Sequence, residues 1–117
     1  MNIKLGDKEY EFALTNGALY NFGKDTKEDY RNVLRQAQGN GLVRTDLVID
    51  FVYHGCKKEN KNFPFTKDDI IDLFDMSWNG IVFEELIISV IGREAYENIK
   101  NNPEEAVEKK EAESPKK

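Results

Sequence analysis

The sequence predicts an α+β domain, mainly helical, in which one N-terminal β-hairpin packs on about five helices. Three observations predict it. Apolar and polar residues alternate on both sides of Gly6-Asp7. Apolar residues then recur at i, i+3, i+4 and i+7 in successive segments, most of them followed by a glycine. No proline falls inside any of those segments, where its ring would remove a helix hydrogen bond. At 117 residues the chain is one domain, with a globular part over 1–101 and a charged tail over 102–117.

The hairpin covers residues 2–14. Gly6-Asp7 makes a two-residue turn. That turn sets Leu5 opposite Lys8, Lys4 opposite Glu9 and Ile3 opposite Tyr10. Ile3, Leu5, Tyr10 and Phe12 then share one face, and the Lys4–Glu9 pair favours the same register. A lone hairpin is marginal in water, so this face must pack on the helices.

Thr15 caps a short helix that runs to Phe22, with Leu19 and Phe22 inward, and Gly23 ends it. Thr26 caps the next, which carries Tyr30, Val33, Leu34 and Ala37 on one face and ends before Gly39. Thr45 or Asp46 opens a third helix with Leu47, Val48, Phe51 and Val52 inward, and Gly55 ends it. Residues 57–64 form a polar connection. Thr66 caps a fourth helix by accepting from the Asp69 N–H, with Asp68 and Asp69 at the positive helix end and Ile70, Ile71, Leu73 and Phe74 as its apolar face. Asn79 caps a fifth, which places Phe83, Leu86, Ile87, Val90 and Ile91 on one stripe. Ile81, Val82 and Ile88 lie outside that stripe, so the helix is apolar nearly all round. It is expected to be the centre of the core, most buried from Val82 to Ile91. After Gly92, residues 93–100 add a weakly apolar helix that Pro103 breaks. The tail beyond has one Val and no aromatic residue and is expected to be disordered.

Composition narrows the function. The net charge is −5, and the tail, with five Glu and four Lys, accounts for only −1 of it. An acidic body argues against nucleic acid as partner. No segment reaches the roughly 20 apolar residues of a membrane span, and the first ten residues hold no apolar leader core. Cys56 is the only cysteine, so no internal disulfide forms, and His54 is the only histidine. Together they fall short of the three or four ligands zinc needs. Asp68, Asp72 and Asp75 share a helical face and read as its solvated side. No nucleophile motif or phosphate loop appears. The chain reads as non-enzymatic, with no cofactor.

One metal motif needs weighing. Asp75, Ser77 and Asn79 stand at positions one, three and five of an EF-hand-like loop, with Gly80 at six. Position twelve, which should supply a bidentate Glu, is Leu86, and Glu85 falls one residue early. A helix connection is the plainer reading, and a calcium titration separates the two.

The order of elements resembles a known family. Ile3, Leu5, Gly6, Asp7, Lys8 and Tyr10, followed by Asn16-Gly-Ala-Leu-Tyr-Asn-Phe22, look like the opening of the tail assembly chaperones of long-tailed (siphovirus-type) bacteriophages. The apolar run from Asp46 that ends in Tyr53-His54-Gly55-Cys56 is similar to the family's central helix. Phe65 to Asp75 and the helix after it are similar to its last block. The resemblance spans residues 1–92 and rests on residue classes. It implies a helper in the host cell cytoplasm that is absent from the mature virion. Such a helper binds the tape measure protein, keeps it soluble and assists tail tube subunits. A longer frameshifted form and self-association stay open. A small phage structural adaptor is the alternative. Phe63, Phe65 and Trp78, aromatic residues on connections, are the candidate partner contacts; the competing reading folds all three back over the core.

Overall fold

A computed structural model describes residues 1–101. The tail expected to be disordered over 102–117 lies outside the described residues. Two strands, β1 (Asn2–Leu5) and β2 (Lys8–Glu11), precede six helices: α1 (Asn16–Thr26), α2 (Tyr30–Ala37), α3 (Thr45–Glu59), α4 (Lys67–Asp72), α5 (Trp78–Ile91) and α6 (Arg93–Asn101). The architecture is α+β and mainly helical, as expected. The strands pair antiparallel with Ile3 opposite Tyr10, Lys4 opposite Glu9 and Leu5 opposite Lys8. Gly6 turns the chain at φ +71°, a conformation that a side chain disfavours. Ile3, Leu5 and Phe12 are buried on the inner face.

The centre is α3, not α5. Leu47, Val48, Phe51, Val52, Gly55 and Cys56 are all buried along it. It packs against α1, α4, α5 and β2. Phe51 stacks on Phe22 of α1 at 3.8 Å and 11°. By contrast α5 buries Trp78, Val82, Glu85 and Leu86. Val90 and Ile91 are 50% and 41% exposed. The expected stripe over Phe83, Leu86, Ile87, Val90 and Ile91 is therefore rotated: Leu86 is buried, Phe83 and Ile87 are half-buried against the core, and Val90 and Ile91 are exposed. An all-round apolar helix does not say from its pattern which side is covered, and this domain has too little chain to cover every side.

Two expected glycine stops, Gly23 and Gly55, are also corrected, and the stop at Gly39 holds without a left-handed residue there. Helix α1 runs through Gly23 to Thr26, and Lys27 closes it at φ 64° by donating its N–H to the Gly23 carbonyl at 2.8 Å. Thr26 does not cap α2. Its hydroxyl donates to the Phe22 carbonyl at 2.8 Å and accepts from the Glu28 N–H at 3.1 Å, and Asp29 is the cap. Helix α2 ends at Ala37 before Gly39, and the positive φ falls on Gly41. Gly55 lies inside α3, buried, because the Phe12 ring sits against it. A Cβ there would stand 2.4 Å from Phe12 Cε1 and 3.2 Å from the Ala13 carbonyl. Only Gly92 ends a helix at positive φ as expected.

Two asparagines hold the layers together. Asn60, just past α3, accepts from the Glu11 N–H at 3.3 Å and donates to the Glu11 carbonyl at 2.8 Å, so its amide pairs with β2 as a neighbouring strand would. Asn79 does not cap α5, which starts one residue earlier. It clamps the Val43 N–H and carbonyl at 3.3 and 2.7 Å instead. The Thr66 cap is as expected and forms a full capping box with Asp69. In α4, Ile70 is buried while Ile71 faces out.

Substituting Gly55→Ala should destabilise the domain despite the better helix propensity of alanine. The added methyl meets a fully buried ring and a backbone carbonyl, an overpacking that costs about 1–3 kcal/mol. Urea denaturation measures it, and a gain in stability would contradict the close approach.

Candidate functional site

The three aromatic residues expected at a contact surface part company. Trp78 is 1% exposed. It is the first residue of α5 rather than part of a connection, and its indole Nε1 donates to the Lys4 carbonyl at 3.3 Å. Phe74 meets it edge-on at 5.6 Å. Trp78 is a core residue that ties α5 to the hairpin, so the fold-back reading holds for it. Phe63 and Phe65 are half-buried. They form an edge-to-face cluster with Tyr10, at centroid distances of 5.6 and 5.5 Å, and lie 5.5 Å from each other. They cover the outer edge of the hairpin face and keep part of each ring in solvent.

The face that is open lies elsewhere. Phe83, Ile87, Val90 and Ile91 follow one another at i, i+4, i+7 and i+8 on α5, opposite Trp78, Val82 and Ser89. Phe83 and Ile87 are half-buried against the core, and Val90 and Ile91 are exposed. Glu84, three residues before Ile87, borders the four on the side of α6. Sequence reasoning named all of them but placed them inside.

Polar contacts anchor the flank of this face. On the inner side of α5, Ser89 Oγ lies 2.8 Å from the Glu85 carbonyl of its own helix and 3.1 Å from the Leu14 carbonyl beyond the hairpin. The buried Glu85 carboxylate accepts from Arg93 at 3.2 Å. Tyr96 donates to Glu84 at 2.5 Å, which pushes the phenol up to about 12, and Lys100 Nζ lies 3.6 Å from the same carboxylate. No residue of α6 is buried. Helix α6 is therefore a side arm held to α5 largely by charge and hydrogen bonds, with Ile99 exposed on it.

The EF-hand-like positions are engaged elsewhere. Asp75 accepts from the Ser77 N–H at 2.8 Å, and that bond holds its carboxyl below the usual range. Asn79 faces Val43, Glu85 pairs with Arg93, and Leu86 is buried. No group of three His, Cys, Asp or Glu among the described residues could hold a metal ion. No described helix is long and apolar enough to cross a membrane. Cys56 is enclosed, and burial pushes its thiol up to about 12.

One polar network was invisible in the sequence. His54 lies within α3 rather than at its end, and its Nε2 is 2.9 Å from Asp25 Oδ2. Lys67 ion-pairs with the same carboxylate and with Asp50 at 2.9 Å. The hydrogen bonds from Lys67 and then His54 hold the Asp25 carboxyl below its ordinary value. These residues are far apart in sequence, and only the packing of α1 and α4 on α3 brings them together.

No family model, curated protein or solved structure matches this chain.

Two outcomes follow from this geometry. Leu86→Ala should cost ~2–5 kcal/mol, as a buried large-to-small change does. Ile91→Ala should stay within ~0.5 kcal/mol, as a surface change does. Denaturant midpoints compare the two, and equal losses would place both faces of α5 inside. The second outcome concerns pH. Because the Asp25 carboxyl is depressed in the fold, its contribution is present above the unfolded value of about 4 and is lost as pH falls through the folded value. Asp25→Asn should lower the thermal midpoint slightly at neutral pH, since a carboxylate 37% exposed is partly screened. The gap to the parent should close in acid. A gap constant with pH would exclude the ion pairs as its cause.

Proposed function

We propose that this chain is a non-catalytic binding protein of the tail-assembly-chaperone kind, which receives an apolar-faced helix of a tape-measure-type chain on the outer face of α5. The observation that carries the reading is the run of Phe83, Ile87, Val90 and Ile91 on one side of α5, of which Phe83 and Ile87 are half-buried against the core and Val90 and Ile91 are exposed. An apolar stripe at i, i+4, i+7 and i+8 is what a second helix packs into. The face is small. Four side chains fall well short of the roughly 20–30 residues a side of a stable interface. That suits a client held with moderate affinity and later released to its assembly, and it suits a long client able to engage many copies. The sequence resemblance supplies the class of client and the expectation of a cytoplasmic helper that assists tail tube subunits. Phe63 and Phe65 are second-rank contacts, since half of their work is already done against Tyr10.

The test is co-expression with a tape measure protein of a long-tailed phage encoded beside this chain. Val90→Lys with Ile91→Lys should leave the thermal midpoint nearly unchanged and should send the tape measure protein to the insoluble fraction. Retention equal to the parent would overturn the α5 face as the site. A tape measure protein equally soluble without this chain would overturn the chaperone reading. Recovery of this chain in purified virions would favour the structural adaptor instead.

A further inference from the structure

Three lysines converge on one cleft away from α5. The C-terminal halves of α1 and α3 lie side by side. Asn21, Lys24 and Asp25 face His54, Lys57 and Lys58 across a cleft of about 550 Å³. Asp25 is the one carboxylate of this lining, and Lys67 and His54 already hold it. Among the described residues, the ion pairs include none to Lys24, Lys57 or Lys58. Lys57 Nζ donates to the Tyr53 hydroxyl at 3.1 Å and lies over that ring at 5.2 Å. Lys58 runs along Gly17 near the start of α1; a Cβ at Gly17 would stand 2.8 Å from Lys58 Cε and 3.2 Å from Nζ. Gly17 therefore leaves the room that lets the Lys58 stem lie down against α1. The ends of two helix dipoles explain why lysines gather in these last turns. They do not explain three cations, unmatched by carboxylates, around one cavity in a chain of net charge −5.

We propose that this cleft binds a run of carboxylates on an acidic polypeptide segment. The form of the charge decides between carboxylates and phosphate. Phosphate sites collect donors on one point, with backbone N–H groups of a helix N-terminus or a guanidinium fork. Here Lys58 lies along the start of α1 and His54 meets Asp25 at its end, so the two helices run antiparallel beside the cleft; no guanidinium among the described residues lines it, and the cations are three separate ammonium groups. Point charges spread over a cleft of this size match several monovalent carboxylates better than one concentrated dianion. A local positive region on an acidic molecule attracts an acidic segment at this side while the rest of the surface repels it, so it selects orientation. The cleft and the outer face of α5 lie on different helices, and this assignment does not rest on the chaperone reading.

The probe is a fluorescently labelled hexaglutamate peptide, followed by anisotropy with the full chain at low and at physiological salt. Saturable binding is expected, weaker at the higher salt, and several-fold weaker for Lys57→Gln with Lys58→Gln. Lys24→Gln, on the other helix, should weaken it independently, which keeps the test valid if the double change disturbs folding. Lys8→Gln on the hairpin should leave it unchanged. Absence of saturable binding by the full chain would overturn the proposal, as would equal loss with Lys8→Gln. Displacement of the peptide by pyrophosphate at lower concentration than by unlabelled hexaglutamate would reassign the cleft to a phosphate compound and overturn the carboxylate assignment.

Discussion

The contact of Phe12 with Gly55 sets the frame for the rest of the domain. A two-stranded hairpin has no stability of its own and takes its position from what it packs on. Here the residue just past β2 drives its ring onto the backbone of the central helix, at the one place where a missing side chain leaves room. With that distance fixed, the edge of β2 comes within reach of Asn60, whose amide completes the hydrogen bonding of Glu11. On the other strand the Lys4 carbonyl comes within reach of the Trp78 indole, which draws the start of α5 under the hairpin. Among the described residues no buried side-chain nitrogen or oxygen is left without a hydrogen-bond partner, which a small core needs because an orphaned group costs as much as several buried methylenes return.

The same economy explains the open side of α5. Helix α3 sits between α1, α4, α5 and the hairpin and is covered by them. Helix α5 lies at the margin, with α2 and α3 to one side and α6 held alongside by Glu84 and Glu85. Among the described residues no element covers Val90 and Ile91. A domain of this length has a high ratio of surface to core. An apolar helix at its margin is therefore either a liability or an interface, and its spacing is that of a helix-packing face.

Much of this fold was legible in the sequence, and the misreadings have a common cause. The hairpin register was legible because turn, alternation and cross-strand charge agreed on it. The inner faces of α1, α2 and α3 were legible because their stripes are narrow. Glycine was not legible. At Gly92 it relieves a positive φ, and at Gly55 it admits a neighbour's ring, and nothing local distinguishes the two. Asn79 and Trp78 failed in the same way. Each has a local reading, as cap or contact, that a partner 36 or 74 residues away displaces. The Asp25–His54–Lys67 network, built from three different helices, had no local signal at all. The open face was hidden by the opposite problem: α5 is apolar in every direction, so its sequence holds no information about which direction faces water.

Burial of Trp78 also changes the kind of surface that the proposed binding role would use. A large aromatic residue on a connection would make a single hot spot, tight and local. With Trp78 committed to the core, the apolar surface that remains is aliphatic, extended along a helix and carried in part by exposed Val90 and Ile91. Such a surface gains affinity from area rather than from one anchor, and aliphatic side chains repack against varied partners more readily than a rigid ring. It discriminates weakly between apolar helices. Selectivity must then come from charge placed elsewhere, because charged groups steer encounter and exclude wrong orientations while adding little to affinity. The lysines of α1 and α3 and the Glu84 and Glu85 carboxylates of α5, held by α6, place opposite signs on different helices of one acidic domain. An apolar helix whose flanking segments differ in charge would meet such a surface in one direction only.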